Sequence, residues 1–176
     1  IADLLRGNYK QHEYRKVILP FTVVRRLDCV LDETKEEVLE VAEESEGLPD
    51  EIRDTKLRGA SGESFYNTSE FDFERLLDDP NHIAANLRRY MNGFSDNAFD
   101  ILERFHFGDQ IDRLDQANLL YKVTDRFAPL DLHPDQVGNM QMGYIFEELI
   151  RKFSEQSNET AGEHFTPREV IRLMVR

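Results

Sequence analysis

Residues 12–31 read HEYRKVILPFTVVRRLDCVL, and residues 32–44 continue DETKEEVLEVAEE. Tyr14, Val17, Ile18, Phe21, Val24, Leu27, Val30, Leu31, Val38 and Val41 recur at spacings of three and four, the period that stacks side chains on one face of an α-helix. The pattern predicts one long helical element over 12–44. Pro20 removes a backbone donor, so a kink or break is expected near Leu19. An acidic run from Glu36 to Glu46 fades into Gly47 and Pro49, where the helix should stop. Cys29 sits between apolar neighbours and reads as buried filler.

Outward from this element the signals are shorter. Residues 45–69 lapse into Gly, Pro, Ser and Asn, which predicts a long loop with at most a short helix at Asp50 to Asp54 and higher mobility around Gly59 to Gly62. Helical signals resume after Ser69, a candidate N-cap ahead of Phe71, Phe73, Leu76 and Leu77, and again after Pro80 with Ile83, Ala84, Leu87 and Met91. Ser95 is placed to cap a helix bearing Phe99, Leu102 and Phe105. Another helix is expected over about Asp109 to Phe127, with Ile111, Leu114, Leu119 and Val123 on one side. Pro134, read as a first-turn proline, opens the next, whose stripe of Met142, Ile145, Phe146, Leu149, Ile150 and Phe153 is the cleanest in the chain. Ser154 to Gly162 is polar and reads as a hinge, and Thr166 with Pro167 start a last helix to Arg176. No convincing strand run and no internal repeat is present. The expected fold class is mainly α, an irregular helical bundle: an N-terminal helical domain over 1–155, a linker over 156–165 and a helix over 166–176.

Composition narrows the function classes. Apolar residues make up 40% and charged residues 32% of the 176, too apolar for a disordered tail and too charged for a membrane protein. One cysteine forms no internal disulfide, which makes the cytoplasm the default compartment and a membrane an unexpected partner. Ile1 is not an initiator methionine, so the true N-terminus is expected upstream. With 35 acidic against 22 basic residues the net charge is −13, which opposes a broad nucleic-acid footprint. Any DNA contact must be local. Of the basic doublets, Arg25 and Arg26 on the longest helix, away from its acidic end, are the candidate DNA or partner contacts.

Several chemistries fail on residue type. His12-Glu13-Tyr14-Arg15-Lys16 has Lys16 where a helical zinc protease needs its second histidine. Gly59-Ala60-Ser61-Gly62-Glu63 lacks both the closing glycine of a nucleophile elbow and the Lys-Ser/Thr of a phosphate-binding loop. The five histidines show no metal-ligand spacing, and no metal is expected.

Gly162-Glu163-His164-Phe165-Thr166-Pro167-Arg168-Glu169-Val170 is, by local physics, a helix start, with Thr166 capping and Pro167 pre-setting the first dihedral. The stretch also resembles the opening of the catalytic domain in adenine-N6 DNA methyltransferases, specifically the modification subunits of type I restriction-modification systems. The resemblance spans essentially the whole chain. Glu13 to Pro20 with Leu27-Asp28 is similar to that family's first long helix. Phe65-Tyr66-Asn67-Thr68-Ser69, Asn92-Gly93-Phe94-Ser95 and Gly143 to Ile150 are similar to its later landmarks.

The resemblance implies that the bundle is truncated at the start of an α/β S-adenosylmethionine-dependent methyltransferase domain. It implies that Glu163, His164, Phe165, Thr166, Pro167 and Arg168 line the S-adenosylmethionine pocket, a loop running into a helix start with backbone donors, a hydroxyl and an aromatic face. It implies as partners a specificity subunit, a second copy of the modification subunit, a restriction subunit and, through the assembled complex, double-stranded DNA. A helical scaffold or regulatory interaction module would account equally well for the acidity, but not for the serial landmarks. The family's glycine-rich loop and its Asn/Asp-Pro-Pro-Phe/Tyr motif are expected beyond Arg176, which leaves no catalytic residue in the chain. Residues 1–176 alone are therefore predicted to transfer no methyl group to duplex DNA from labelled S-adenosylmethionine, and measurable turnover would contradict this.

Overall fold

The computed structural model describes residues 1–157. Among the described residues ten α-helices follow one another: α1 Ala2–Leu5, α2 Arg15–Leu31, α3 Lys35–Glu44, α4 Asp50–Ser61, α5 Phe73–Leu77, α6 Ile83–Asn92, α7 Asp96–Arg104, α8 Phe107–Gln116, α9 Leu120–Phe127 and α10 Asn139–Ser157. Among the described residues there is no strand, only isolated bridges at Arg6 with Tyr9 and Asn67 with Phe94. The mainly α, irregular bundle expected from the sequence is the architecture observed.

Helix α2 is the axis. Val17, Phe21, Val23, Val24 and Leu27 are fully buried, and α8, α9 and α10 pack around them. The Phe21 ring stacks on Phe127 at 5.1 Å and meets Phe107 edge-on at 5.0 Å, joining α2 to α9 and α8 by aromatic contacts that add to burial. A smaller core of Val38, Leu57 and Ala60 lies between α3 and α4.

Several boundaries differ from the sequence reading, each for a physical reason. Helix α2 runs unbroken through Pro20. The missing donor lies early in the helix, and Val17, Leu19, Pro20 and Phe21 are all buried, so packing outweighs one lost bond. The break falls instead at a 3-10 turn, Asp32–Thr34, where α3 swings off to pack on α4. The Lys35 ammonium is buried beyond it and donates to the Phe71 carbonyl at 2.7 Å and to that of Ser69, which fixes the new direction. Asp50 to Ser61, expected to be mostly loop, forms twelve residues of helix. It closes at Gly62 in the left-handed region (φ 66°), whose N–H reaches the Arg58 carbonyl at 3.1 Å. Gly59 to Ser61 thus form the last helical turn. The helix expected over 109–127 is two, because Asn118 adopts φ 53° and the Leu119 N–H closes on the Leu114 carbonyl at 2.8 Å. Asp72, not Ser69, caps α5, accepting from the Arg75 N–H at 2.7 Å. Pro134 lies in a turn. Helix α10 starts five residues later, with Gly138 at its cap and the Gln141 amide oxygen accepting from the Gly138 N–H at 2.9 Å.

The two landmarks at 65–69 and 92–95 form one clamp. The Thr68 N–H donates to the Gly93 carbonyl at 2.8 Å and the Ser95 N–H to the Tyr66 carbonyl at 3.0 Å. The Asn67 amide donates to the Tyr90 carbonyl at 2.9 Å and accepts from the Ser69 N–H at 2.7 Å. Gly93 has an ordinary φ, and the crowding is what excludes a side chain: a Cβ there would stand 2.4 Å from Asn67 Oδ1 and 2.6 Å from Ser69 N. Gly93→Ala is accordingly expected to lower unfolding stability by about 1–3 kcal/mol in urea titrations, since the obstruction includes backbone.

The ion pair at Glu13 makes the stability acid-sensitive. The Arg113 guanidinium, bonded to Glu13 at 2.8 Å, holds that carboxyl down at about 2, helped by the Lys10 N–H. A depressed carboxyl stabilises the fold above its unfolded value and loses that contribution as pH falls toward 2. Wild type should lose stability between about pH 4.5 and 2 more steeply than Glu13→Gln, measured by denaturant midpoints across that range.

Candidate functional site

The site with most structural consequence is the junction between α2 and α10, made by Arg25 and Arg26. Neighbouring positions on a helix point about 100° apart, so the two guanidinium groups reach different parts of the same connection, residues 128–138. Arg26 is fully buried. Its Nη1 donates to the Val137 carbonyl at 2.7 Å and to the Leu132 carbonyl, and its Nη2 to Asn139 Oδ1 at 2.8 Å. Asn139 is the first residue of α10, so Arg26 grips both the connection and the helix it delivers. Burial pulls the guanidinium below its usual value, and the three acceptors offset the loss of water.

Arg25 is 15% exposed; its Nε donates to the Leu130 carbonyl at 2.8 Å and its Nη1 to Asp28 Oδ2 at 2.6 Å, with the Phe73 ring 5.4 Å from its carbon centre. Both arginines that the sequence marks as candidate DNA or partner contacts are thus hydrogen-bonded within the domain, because the connection brings a row of carbonyls over this face of α2.

Asp28 makes the junction part of a larger buried network. Its Oδ1 accepts from the Tyr90 hydroxyl at 2.8 Å, and the Phe73 N–H lies 3.4 Å from its Oδ2. Burial raises the carboxyl, while Tyr90 and Arg25 pull it back toward ionisation. The Tyr90 hydroxyl is pushed well above its ordinary value by burial and by the adjacent carboxylate. Such paired groups specify a register, since leaving either partner alone in a dry site is costly. The carboxylate, phenol and guanidinium are hydrogen-bonded to one another.

Beside Arg25 lies an open cleft of about 470 Å³ whose lining includes Asp28, Asp32, Asp72, Asp131 and Asp135. Its charge would repel phosphate. Among the described residues no group of His, Cys, Asp and Glu side chains is arranged to hold a metal, and no helix is long and apolar enough to cross a membrane. Two further basic doublets, Arg88 with Arg89 and Arg151 with Lys152, are largely neutralised: Arg88 pairs with Asp112, Arg89 with Glu70 at 2.8 Å, and Arg151 with Glu148 at 2.7 Å and with Glu155. Glu163, His164, Phe165, Thr166, Pro167 and Arg168 lie outside the described residues.

Comparison with known proteins gives these features a family. The HsdM N-terminal domain matches residues 1–127, about three quarters of the chain. This chain belongs to the HsdM N-terminal domain family. The N-6 DNA methylase family matches residues 138–176, beginning at the foot of α10. The connection held by Arg25 and Arg26 is thus the segment between the two matched regions. A similar protein is the "Type I restriction enzyme MjaIX methylase subunit" of Methanocaldococcus jannaschii, 23% identical over 190 residues that cover 99% of this chain. The chain spans about a third of that relative's length, 33%. No solved structure matches. The chain is thus an N-terminal part of a type I modification subunit, as its landmarks imply.

Sequence reading passed over Asp28 and Lys35 as functional positions and missed Asn139 altogether. Leu27-Asp28 stood among the family landmarks, but nothing local signals that Asp28 meets Tyr90, 62 residues away. Arg26→Ala is expected to cost about 3 kcal/mol in equilibrium unfolding, and Arg26→Lys to recover little, because a point charge replaces a planar fork. Arg88→Ala, half-exposed, should cost under about 1 kcal/mol. Equal losses at the two sites would contradict the internal role of Arg26.

Proposed function

We propose that the parent polypeptide transfers a methyl group from S-adenosylmethionine to the N6 of adenine in double-stranded DNA, and that this domain is its N-terminal assembly domain, catalytically silent by itself. The observation that carries the reading is the succession of the two family matches across the α2–α10 junction. S-adenosylmethionine supplies the electrophilic methyl group. The residues of this chain proposed to line its pocket are Glu163, His164, Phe165, Thr166, Pro167 and Arg168, which begin six positions past the last residue of α10 in sequence. Holding α10 fixed would set where that segment begins.

The proposed partners are a specificity subunit, a second modification subunit and a restriction subunit, with DNA embraced by the assembly. Sequence recognition belongs in this scheme to the specificity subunit. An acidic domain whose basic doublets are mostly paired internally suits protein assembly better than broad phosphate contact. Phosphate contacts by Arg25 and Arg26 would require the connection to release them.

The test uses the full-length parent with its specificity subunit, a duplex carrying the recognition site, and labelled S-adenosylmethionine. N6-methyladenine should form, and Phe165→Ala and Thr166→Ala should each weaken cofactor binding by roughly tenfold, about 1.4 kcal/mol. Arg25→Ala should leave the salt dependence of DNA binding unchanged. Absence of methyl transfer by the assembled wild type, or of any complex with the specificity subunit, would overturn the proposal.

A further inference from the structure

Helix α10 is amphipathic in a way the domain does not exhaust. Met142, Phe146 and Phe153 are buried against α2 and the 3-10 turn Gln11–Glu13. On the opposite side Met140 is 75% and Tyr144 62% exposed, one turn apart and so stacked on one face. Between them Gly143 presents bare backbone, with open space where a side chain would stand. The face is apolar only in the first turns. Further along, Glu148, Arg151 and Glu155 form exposed ion pairs, as a solvated surface does.

We infer that the Met140–Tyr144 face of α10 is the docking surface for the methyltransferase domain of the same polypeptide. This rests on the reading of the parent as a methyltransferase. Sequence, reach and size choose this occupant. The N-6 DNA methylase match begins at residue 138, so α10 belongs in sequence to that domain, although its buried face packs on the N-terminal one. A helix shared by two domains is expected to carry an apolar stripe for each. The similar methylase subunit is about three times the length of this chain, which supplies a domain to cover the second stripe.

Reach is the second consideration. Tyr144 lies thirteen residues before the end of α10, about 20 Å at the rise of an α-helix. The eight residues 158–165, ahead of the helix expected over 166–176, have a contour length of about 28 Å, enough to cover this distance. Size is the third. Two such side chains offer on the order of 300 Å², far below the roughly 800 Å² per partner that a free dimer uses. A tethered domain needs less, because its effective concentration is about millimolar.

The test places a photoreactive benzoyl-phenylalanine at position 144 of the full-length subunit, and separately at 140, with position 52 on α4 as an exposed control. Irradiation should give adducts at 144 and 140 that migrate as a single polypeptide and map to peptides beyond residue 176, and none such at 52. Adducts only to a second copy or to another subunit, or no intrachain adduct from either position, would overturn the inference. The readout needs no catalysis, so a parent that fails to methylate DNA but shows the intrachain adduct separates failure of the activity from failure of the docking.

Discussion

The guanidinium of Arg26, sealed from water between α2 and the connection that follows α9, has to find acceptors inside the protein. Stripping an ion of its hydration costs several kcal/mol, and a half-satisfied cation in a dry site would be worse than an apolar residue there. The carbonyls of Leu132 and Val137 and the side chain of Asn139 take up its two terminal nitrogens, while the buried Nε has no hydrogen-bond partner among the described residues. Because they lie on a connection with little regular structure and on the first residue of α10, satisfying one buried charge fixes a segment that has few other reasons to adopt one path. The stripe of α10 then packs on α2 in a single register.

The other polar residues of the interior act in the same way at other joints. Asp28 ties α2 to the start of α5 and to Tyr90 on α6. Lys35 ties the start of α3 to the backbone ahead of α5, with the Tyr90 ring 5.7 Å away. Asn67 and Gly93 lock the α4–α5 connection against the end of α6. Short helices with irregular connections leave many orphan backbone groups, and these side chains supply what ladders supply in a sheet. Of the landmarks by which the chain resembles its family, Leu27-Asp28, residues 65–69 and residues 92–95 lie at these joints. The motifs at 65–69 and 92–95 thus encode geometry, joining the α4–α5 connection to the end of α6.

Helix content and the faces of α2, α6 and α10 were legible from apolar periodicity, since burial on one side of a helix leaves a local record. Where the chain breaks was less legible. Pro20 signals a kink by its own chemistry, yet the break is at Asp32, where the pull comes from backbone carbonyls near residue 70. Asn118 splits α8 from α9 by entering the left-handed region, which asparagine tolerates but does not announce. Polar α4 hid because its apolar contribution is small, with Leu57 and Ala60 buried. At the junction, the sequence marks Arg25 and Arg26 as notable, and charge alone suggests an outward role. Their inward role depends on carbonyls more than a hundred residues away, which no local pattern records.

The central claim is that Arg26 holds α10 against α2. Native-state hydrogen exchange resolved by residue tests it directly, comparing wild type with Arg26→Met, which keeps volume and removes the donors. The account predicts that amides around Met142 and Phe146 lose protection in the variant while those around Val23 and Val24 in α2 and Ile111 in α8 keep most of theirs. Unchanged protection in α10, or an equal loss everywhere, would contradict it.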